Sequence, residues 1–453
     1  MVGDSPKAAD GAGSALWMST FAFTACFAVW TIFSIIGVQI KQDLGLSEAQ
    51  FGLLAGTPIL TGSLVRVLLG VWTDQYGGRV VNLMVMLSAA LATFLLSYAE
   101  TYPQFLVAAL GVGMAGGSFA VGIAYVSKFF PKEKQGTALG IFGAGNVGAA
   151  VTKFAAPFVM IAFGWQSVAQ IWAGALAVIA VAFFLLTRDD PALIERRRTG
   201  AKAESTAMQF TPLMKLQVWR FSLYYFFVFG AFVALALWLP HYLVGVYGLN
   251  IKVAGMVAAA YSIPGSLFRV FGGWLSDKIG ARRVMYITFS VSAVCTFLLS
   301  YPPTSYTVSG IHGPISFHLE TGLPAFIALL FCLGFAMSLG KAAVFKHIPV
   351  YYPGNIGSVG GLVGLVGGLG GFVLPITFGL LNDITGVWTS CFMLLFVLVA
   401  SALTWMHFAI RRMERARTPG LSDLPELPEM SGLHPSPSSG PAPVAPAPVA
   451  AAG

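Results

Sequence analysis

The stretch LVRVLLGVWTDQYGGR, Leu64 to Arg79, places an arginine inside a strongly apolar segment that ends in a charged exit. The same arrangement returns as LFRVFGGWLSDKIGARR, Leu267 to Arg283. Four pairs of residues correspond at a constant offset of 203 residues: Arg66 with Arg269, Asp74 with Asp277, Gly77 with Gly280 and Arg79 with Arg282. The chain therefore contains an internal repeat, and each copy carries a positive charge within an apolar segment.

The composition restricts the chain to a lipid bilayer. Of its 453 residues 57% are hydrophobic and only 10% are charged, whereas a soluble domain has roughly 25% charged residues. Apolar runs of about 20 residues recur without the period-2 alternation of barrel strands, which predicts an all-α polytopic membrane protein. Twelve spans are expected, near 17–39, 50–73, 79–99, 103–127, 135–161, 165–187, 217–245, 253–275, 283–300, 322–345, 355–380 and 387–410.

The charges orient these spans. The loop from Arg188 to Lys215 divides them six and six, and most basic loop residues fall on its side of the membrane. By the positive-inside rule both termini and this loop are expected in the cytoplasm, with the protein in the cytoplasmic (inner) membrane. This distribution accounts for the net charge of +8, so we expect no nucleic-acid partner.

Five regions follow from this layout. We expect an N-terminal tail over 1–16, a first half over 17–187, a linker over 188–216, a second half over 217–410 and a Pro/Ala-rich tail over 411–453. The polar start lacks the charged n-region and cleavage site of a signal peptide, so the first span is expected to be retained. The biased C-terminal composition is typical of sequences that bury no core.

Arg66 and Arg269 are the leading candidates for substrate ligands. A charge near the bilayer centre is costly and by default marks a substrate or ion path. Arg66 lies about 12 Å of helix from the charged exit, too far for its head to reach the interface. No Asp or Glu falls in the middle of any span, so a structural ion pair, the main alternative, has no visible partner. Two forked guanidinium groups suit a planar oxyanion.

Glycine-rich segments recur in the fifth and eleventh spans. The fifth carries GAGNVG with Gly143, Gly145, Asn146 and Gly148, and the eleventh opens with Gly354, Asn355 and Gly357. Glycine faces used only for helix packing are one interpretation. The other is close approach of the backbone to a ligand, with the two asparagine amides as donors to an oxyanion.

These motifs resemble known transporters. Two parallel six-span halves, a basic middle loop and a repeated G-x-x-x-D-x-x-G-x-R loop resemble the major facilitator superfamily, whose substrate site lies near midplane between the halves. G-x-G-N-x-G beside one arginine per half resembles the nitrate/nitrite porters of that superfamily. The resemblance implies an arginine clamp on the anion, packing by the glycine helices and aromatic rings over the anion, here Phe27, Tyr225 and, less directly, Phe229. It also implies that Asp74, Arg79, Asp277 and Arg282 belong to conformational-switch loops.

Other internal charges and polar residues give weaker signals. Lys153 is interpreted as a snorkelling lysine, as a positive charge behind the anion, or as a titrating group that couples transport. Lys341 and Lys346 are interpreted as gate or lipid-facing cations. The four cysteines and six histidines show no metal or catalytic spacing. We therefore predict no enzyme activity, no metal and no cofactor, and we expect a monomer.

The predicted function is alternating access with nitrate taken up in exchange for nitrite, because an anion would neutralise two repelling arginines at each crossing. Proton-coupled nitrate symport and a major facilitator for another small anion remain open alternatives. An anion channel would need a continuous polar pore stripe, and a receptor would need a folded signalling domain; neither is visible in the sequence.

Overall fold

The computed structural model describes residues 10–199, 215–351 and 356–417, which are almost entirely helical. The predictions made for Gly354, Asn355 and most of the two tails lie outside these residues. In the first half the helices, including short 3-10 segments, run as follows: α1 Ala12–Trp30, 3-10 Ile32–Ser34, α2 Ile36–Leu44, α3 Glu48–Tyr76, α4 Gly78–Leu96, α5 Tyr102–Val112, 3-10 Gly113–Gly117, α6 Ser118–Ser127, α7 Lys132–Gly143, 3-10 Ala144–Val147 and α8 Gly148–Leu186.

A short helix, α9, follows in the linker, and the second half then repeats the helical plan with one hairpin added. Its elements are α9 Pro191–Thr199, α10 Leu216–Tyr225, a π-helical segment Phe226–Ala231, α11 Phe232–Tyr247, α12 Ile251–Leu267, α13 Arg269–Ile279, α14 Ala281–Leu299, β1 Thr304–Gly310, β2 Gly313–Leu319, α15 Leu323–Tyr351, α16 Ile356–Thr385 and α17 Ser390–Arg417.

These helices make twelve crossings in two halves of six. Within the described ranges nine helical stretches are long and apolar enough to cross a membrane, and the pair α12 and α13, bent by 41°, adds a tenth. One of the nine, Thr137–Leu186, turns at Gly164, where φ is 83°, so it holds spans 5 and 6. The 29-residue α3 forms span 2. The prediction of an all-α protein with twelve spans is confirmed.

The backbone repeats the sequence offset of 203 residues. Gly45 and Gly248 end spans 1 and 7 in the left-handed region, at φ 62° and 61°. Ser47 and Asn250 then cap the next helices through their side chains, accepting from the amides three residues on. Gly77 and Gly280 close those spans at φ 88° and 87°, a conformation that favours glycine. The duplicated motif is therefore one folded unit used twice.

Several spans are interrupted in their middle. Short 3-10 turns break spans 1, 4 and 5, a π-helical segment breaks span 7, and span 8 bends at Phe268. Such interruptions frequently mark functional sites, because they redirect side chains and free backbone groups. The fifth-span break, Ala144–Val147, contains Asn146, and the eighth-span bend immediately precedes Arg269.

The two halves meet along two helix pairs that cross the middle of the protein. Span 2 packs along span 11, and span 5 packs along span 8. Small residues permit the contact: Gly56 faces the backbone of Phe372, and Gly255 faces the backbone of Lys153. Large apolar side chains such as Leu91 and Val178 remain exposed on the outside, as expected for surfaces in contact with lipid.

Two elements were absent from the sequence prediction. The helix α9 begins the linker, and the Asp190 carboxylate accepts a hydrogen bond from the Leu193 amide at its start (2.9 Å). The hairpin of β1 and β2 joins spans 9 and 10 and pairs Tyr306 with Phe317 in antiparallel register.

Candidate functional site

Arg66 lies in the middle of α3 with its guanidinium buried. The side chain is 7% exposed, and Nη1 donates to the carbonyl oxygen of Gly364 on α16 at 3.0 Å. The guanidinium carbon lies 5.6 Å from the Trp30 ring centroid, 5.3 Å from that of Phe119 and 5.8 Å from that of Phe229. An arginine of the first half is thus held by the backbone of the second half and surrounded by aromatic faces.

Arg269, the first residue of α13, is the equivalent charge of the second half. It is 8% exposed, and its guanidinium carbon lies 5.8 Å from the Phe119 centroid and 5.9 Å from that of Phe345. A Cβ placed at Gly143 would lie 3.3 Å from Cδ, Nε and Cζ of Arg269. The arginine therefore packs against the bare backbone of the fifth span.

One ring, Phe119, lies within 6 Å of both guanidinium carbons. The two arginines predicted from the repeat are consequently brought to the same aromatic ring, one from each half. Across the ion pairs described for residues 10–199, 215–351 and 356–417, no carboxylate pairs with either arginine. Two positive charges thus face one region of low polarity, where an anion would be strongly favoured.

Tyr225 stands beside the pair at the end of α10. Its ring stacks on Phe229 at 5.1 Å and meets Phe345 edge-on at 4.9 Å, so it lies between the rings that touch Arg66 and Arg269. The π-helical segment that follows packs against the glycines of α16, where Gly367 faces the Tyr225 ring. Of the aromatic residues that the family resemblance implied, Tyr225 and Phe229 lie at the arginines.

Phe27 and Asn146 occupy neighbouring positions. Phe27 is buried against Phe23 and Trp30, with ring centroids 5.7 and 5.4 Å away, and these two rings connect it to the arginines through Phe119 and through Trp30 itself. Asn146 is fully buried in the 3-10 turn one turn after Gly143. Gly145 packs against the Phe23 ring and Gly148 against the backbone of span 1. No contact of Asn146 with either arginine is among the described interactions.

Several unsatisfied polar atoms lie on the arginines and on residues beside or near them. Among the described residues the buried atoms without a hydrogen-bond partner include Nε of Arg66, Nη1 of Arg269, the hydroxyl of Tyr225 and both amide atoms of Asn146. Four of these five atoms are donors. Buried donors are costly to leave unpaired, so the donor set fits an oxyanion better than a cation or a neutral apolar ligand.

Lys153 is fully buried and does not reach the membrane surface, so the snorkelling interpretation is wrong. Its Nζ donates to the hydroxyl of Ser262 at 2.9 Å and to the carbonyl oxygen of Ala149 at 3.2 Å. Because Ser262 lies on α12, this lysine of the first half binds the second half. The burial results from Gly255, which lets α12 approach the backbone at Lys153 closely.

Lys341 is also fully buried, which excludes the lipid-facing interpretation. Its Nζ donates to the carbonyl oxygen of Gly265 at 2.6 Å and lies 3.2 Å from the Phe232 ring centroid. Lys346, one turn nearer the end of α15, pairs with Asp277 and is half exposed. The sequence did not separate these two lysines, because their depths differ only through packing.

The residues of the repeated loops lie at the ends of the spans. Arg79 donates through Nε and Nη2 to the carbonyl oxygen of Phe184 at 2.9 and 2.7 Å, and so caps span 6. Asp277 accepts from Lys346 at 2.5 Å. Arg282 lies in the first turn of α14, and the side chain of Asp74 is outside the described residues. Their role in switching stays a prediction.

Sequence comparison relates the whole helical region to transporters. A family model described as "Major Facilitator Superfamily" matches residues 18–313 and 250–450. The chain is 42% identical over 414 residues to "Probable nitrate/nitrite antiporter NarK1" of Thermus thermophilus, covering 88% of this chain and 91% of that protein. It is 32% identical over 406 residues to "Nitrite extrusion protein" of Bacillus subtilis (strain 168), covering 87% and 95%.

Solved structures share the fold at low identity. The chain resembles a bacterial homologue of the human lysosomal transporter Spinster, solved in inward-facing occupied and unoccupied conformations, with TM-scores of 0.68 and 0.69. Both are 16% identical; the first match covers 90% of this chain and 98% of that one, the second 89% and 97%. At this identity the likeness supports the architecture alone.

Proposed function

This chain belongs to the nitrate/nitrite porter family of the major facilitator superfamily, and on that premise we propose that it takes up nitrate in exchange for nitrite by alternating access. Two of its relatives are named as a nitrate/nitrite antiporter and a nitrite extrusion protein, and these names support exchange with nitrite leaving the cell. The basic loops support a protein of the cytoplasmic membrane with both termini in the cytoplasm. We further propose that it works as a monomer, since both arginines come from one chain.

The observation that carries the proposal is the pair of buried guanidinium groups around Phe119. Each contributes forked donors, and the described residues offer them no carboxylate. A planar oxyanion such as nitrate or nitrite would accept from Arg66 and Arg269 together while its faces lie against the rings of Phe119, Phe229 or Tyr225.

Exchange follows from where the two charges sit. Arg66 belongs to the first half and Arg269 to the second, so closing the halves around the site brings like charges together. A bound anion neutralises this repulsion, whereas an empty site resists closure. The protein would then change between its outward- and inward-facing conformations only with an anion bound, which is the condition for obligatory exchange.

Proton-coupled nitrate symport is the second candidate, and the contact of Lys153 with Ser262 favours it. This buried ammonium links the two halves, so its protonation could change as they separate. Symport requires such a group, because no carboxylate lies near the arginines within the described part of the chain.

Counterflow in proteoliposomes separates the two candidates. Labelled nitrate outside is offered to vesicles that contain nitrite, that are empty, or that are empty with an imposed pH gradient. We expect uptake only with internal nitrite and no dependence on the gradient. Uptake into empty vesicles that is driven by the pH gradient would show symport instead of exchange. No uptake under any condition would reject nitrate transport.

Arg66→Lys and Arg269→Lys test the clamp. Lysine keeps the charge but lacks the fork, so we expect each variant to lower kcat/KM for nitrate on the order of 100-fold. Arg220→Lys serves as the control, because Arg220 is also buried but its described aromatic contact is Phe221. Full nitrate uptake by either site variant would contradict the clamp.

A further inference from the structure

Lys341 contacts the backbone at the bend of span 8. Its ammonium donates to the carbonyl oxygen of Gly265, in the last turn of α12, at 2.6 Å. The helix ends at Leu267, Phe268 adopts φ −72° and ψ 2°, and α13 starts with Arg269 at an angle of 41°. Lys341 thus binds the backbone of span 8 one helical turn before Arg269.

The bend leaves this carbonyl available. The described backbone bonds around it run from the Phe268 amide to the Pro264 carbonyl at 3.3 Å and from the Gly272 amide to the Phe268 carbonyl at 2.9 Å. They leave the Gly265 carbonyl to Lys341. The last carbonyls of a helix carry partial negative charge and are stabilised by a cation, most strongly where water is excluded.

The surroundings of Lys341 hold the ammonium at this point. The side chain is fully buried, and Nζ lies 3.2 Å from the centroid of Phe232. A cation on an aromatic face and on a helix terminus needs no carboxylate to be stabilised. Because α15 carries Lys341 and also packs along α13, a shift of the ammonium would shift both sides of the bend.

Arg66 of span 2 is placed differently. Arg66 sits inside the continuous helix α3, which runs from Glu48 to Tyr76, and its own Nη1 is anchored on Gly364. Arg269 instead begins a new helix, so its direction depends on the geometry of the bend. The two arginines of the repeat are therefore positioned by different means.

We propose that Lys341 is a positioning residue for transport: by capping the Gly265 carbonyl, its ammonium fixes the bend of span 8 and so aims Arg269 at the anion. This inference rests on the proposed nitrate/nitrite exchange. In this role Lys341 binds the backbone rather than the anion, and it contributes by keeping the fork of Arg269 in register with that of Arg66.

The test compares three substitutions of Lys341 in the full chain. Lys341→Met keeps the length and the contact with Phe232 but removes the donor, Lys341→Gln keeps a neutral donor, and Lys341→Arg keeps a charged donor. A small misplacement of a binding group costs on the order of 10- to 100-fold. We expect Lys341→Met to raise KM for nitrate in counterflow on the order of 10-fold with a smaller change in kcat, Lys341→Gln to lie between, and Lys341→Arg to restore most of the affinity.

Lys252→Met is the matched control, because Lys252 belongs to the same helix α12 and its ammonium also lies over an aromatic ring, that of Phe158 at 4.3 Å. We expect it to leave the nitrate KM within about three-fold of the wild type. Nitrate-dependent thermal stabilisation in detergent gives a second measure of anion affinity that does not need transport. It is expected to weaken for Lys341→Met and not for the control variant.

An unchanged KM and unchanged nitrate stabilisation in Lys341→Met would overturn the proposal, as would equal losses in Lys252→Met. If Lys341→Met does not fold, Lys341→Gln with a wild-type KM gives the same negative result. A wild-type protein that shows no counterflow at all would reject the exchange function instead, so the two failures are distinguishable.

Discussion

Arg269 of the second half lies against the bare backbone of Gly143 on span 5 of the first half. This contact sets how closely the Arg269 side chain approaches the first half. A methyl group there would meet Cδ, Nε and Cζ of the arginine at 3.3 Å. Contacts of that length are tighter than ordinary packing, so the guanidinium would have to move. The absence of a side chain at Gly143 thus leaves the space that Arg269 of the opposite half occupies.

Gly143→Ala is therefore expected to weaken anion binding without unfolding the protein. Displacing the Arg269 head by a few tenths of an ångström should raise the nitrate KM on the order of three- to ten-fold. Helix propensity alone favours alanine over glycine by about 1 kcal/mol, so thermal stability should not fall. Counterflow kinetics measure the first effect and thermal unfolding in detergent the second.

Gly140→Ala is the matched control, since a Cβ at Gly140 has no described atom within 4 Å. This variant gains the same helix propensity and should keep the wild-type KM for nitrate. Equal KM values for the two variants would show that the space beside Arg269 is irrelevant to binding.

The sequence predicted some residues of this site and not others. The repeat identified Arg66 and Arg269 as internal charges, because a charge in an apolar segment is rare and stands out from its surroundings. Phe119 could not be found in this way, since 36 phenylalanines look alike in a hydrophobic chain and only tertiary packing brings this one between the arginines. The resemblance to nitrate porters supplied Tyr225 and Phe229, which composition alone does not distinguish.

At the scale of elements, the interruptions of the spans were the features that sequence reasoning missed. The hydropathy of the sequence predicts the length of a span. The breaks in spans 1, 4, 5, 7 and 8 do not alter that hydropathy, so they could not be predicted from it. The π-helical segment of span 7 packs against span 11, where Gly230 meets Gly370, and hydropathy carries no information about that contact. The hairpin Thr304–Leu319 was likewise missed, because it lies between spans that were read only for hydrophobicity.

Gly230→Ala is expected to destabilise the protein through this contact. The new Cβ would lie 2.7 Å from the Gly367 carbonyl oxygen and 2.8 Å from the Gly370 Cα, and backbone atoms cannot rotate away as a side chain does. Overpacking of this kind costs about 1–3 kcal/mol. We expect a lower unfolding temperature by tryptophan fluorescence in detergent and reduced nitrate uptake, because Tyr225 adjoins the same segment.

Gly361→Ala provides the comparison on span 11, where a Cβ meets no described atom within 4 Å. Its unfolding temperature should equal or exceed that of the wild type. If Gly230→Ala were as stable as Gly361→Ala, the close approach of spans 7 and 11 would not be required for folding.

At the scale of the molecule, polar contacts join the halves on the side opposite the linker. The Glu48 carboxylate accepts from Lys41 at 3.2 Å in its own half and pairs with His241 of the second half at 2.6 Å. Asp383 of span 11 accepts from the amides of Glu48 and Ala49 at 3.1 and 2.8 Å. A carboxylate at a helix N-terminus is favourable, so these contacts hold that side closed.

Glu48→Gln and Asp383→Asn should therefore shift the protein toward opening on this side. Losing one charged hydrogen bond costs about 1.5–3 kcal/mol when buried and less where water reaches it, so we expect the ratio of open to closed molecules to rise roughly three- to ten-fold. Spin labels on cysteines replacing Glu100 and Thr385, one in each half, would report the change by pulsed electron resonance after removal of the exposed Cys332.

Asp43→Asn is the control for this shift, because Asp43 lies on the same side but accepts from Gln39 within its own half. Its distance distribution should match the wild type, and nitrate should move all variants in the same direction, since the anion acts at the arginines and the carboxylates act at the edge. The same distribution in Glu48→Gln, Asp383→Asn and wild type would mean that these carboxylates do not hold the halves together, and closure would then rest on the glycine contacts between spans 2 and 11 alone.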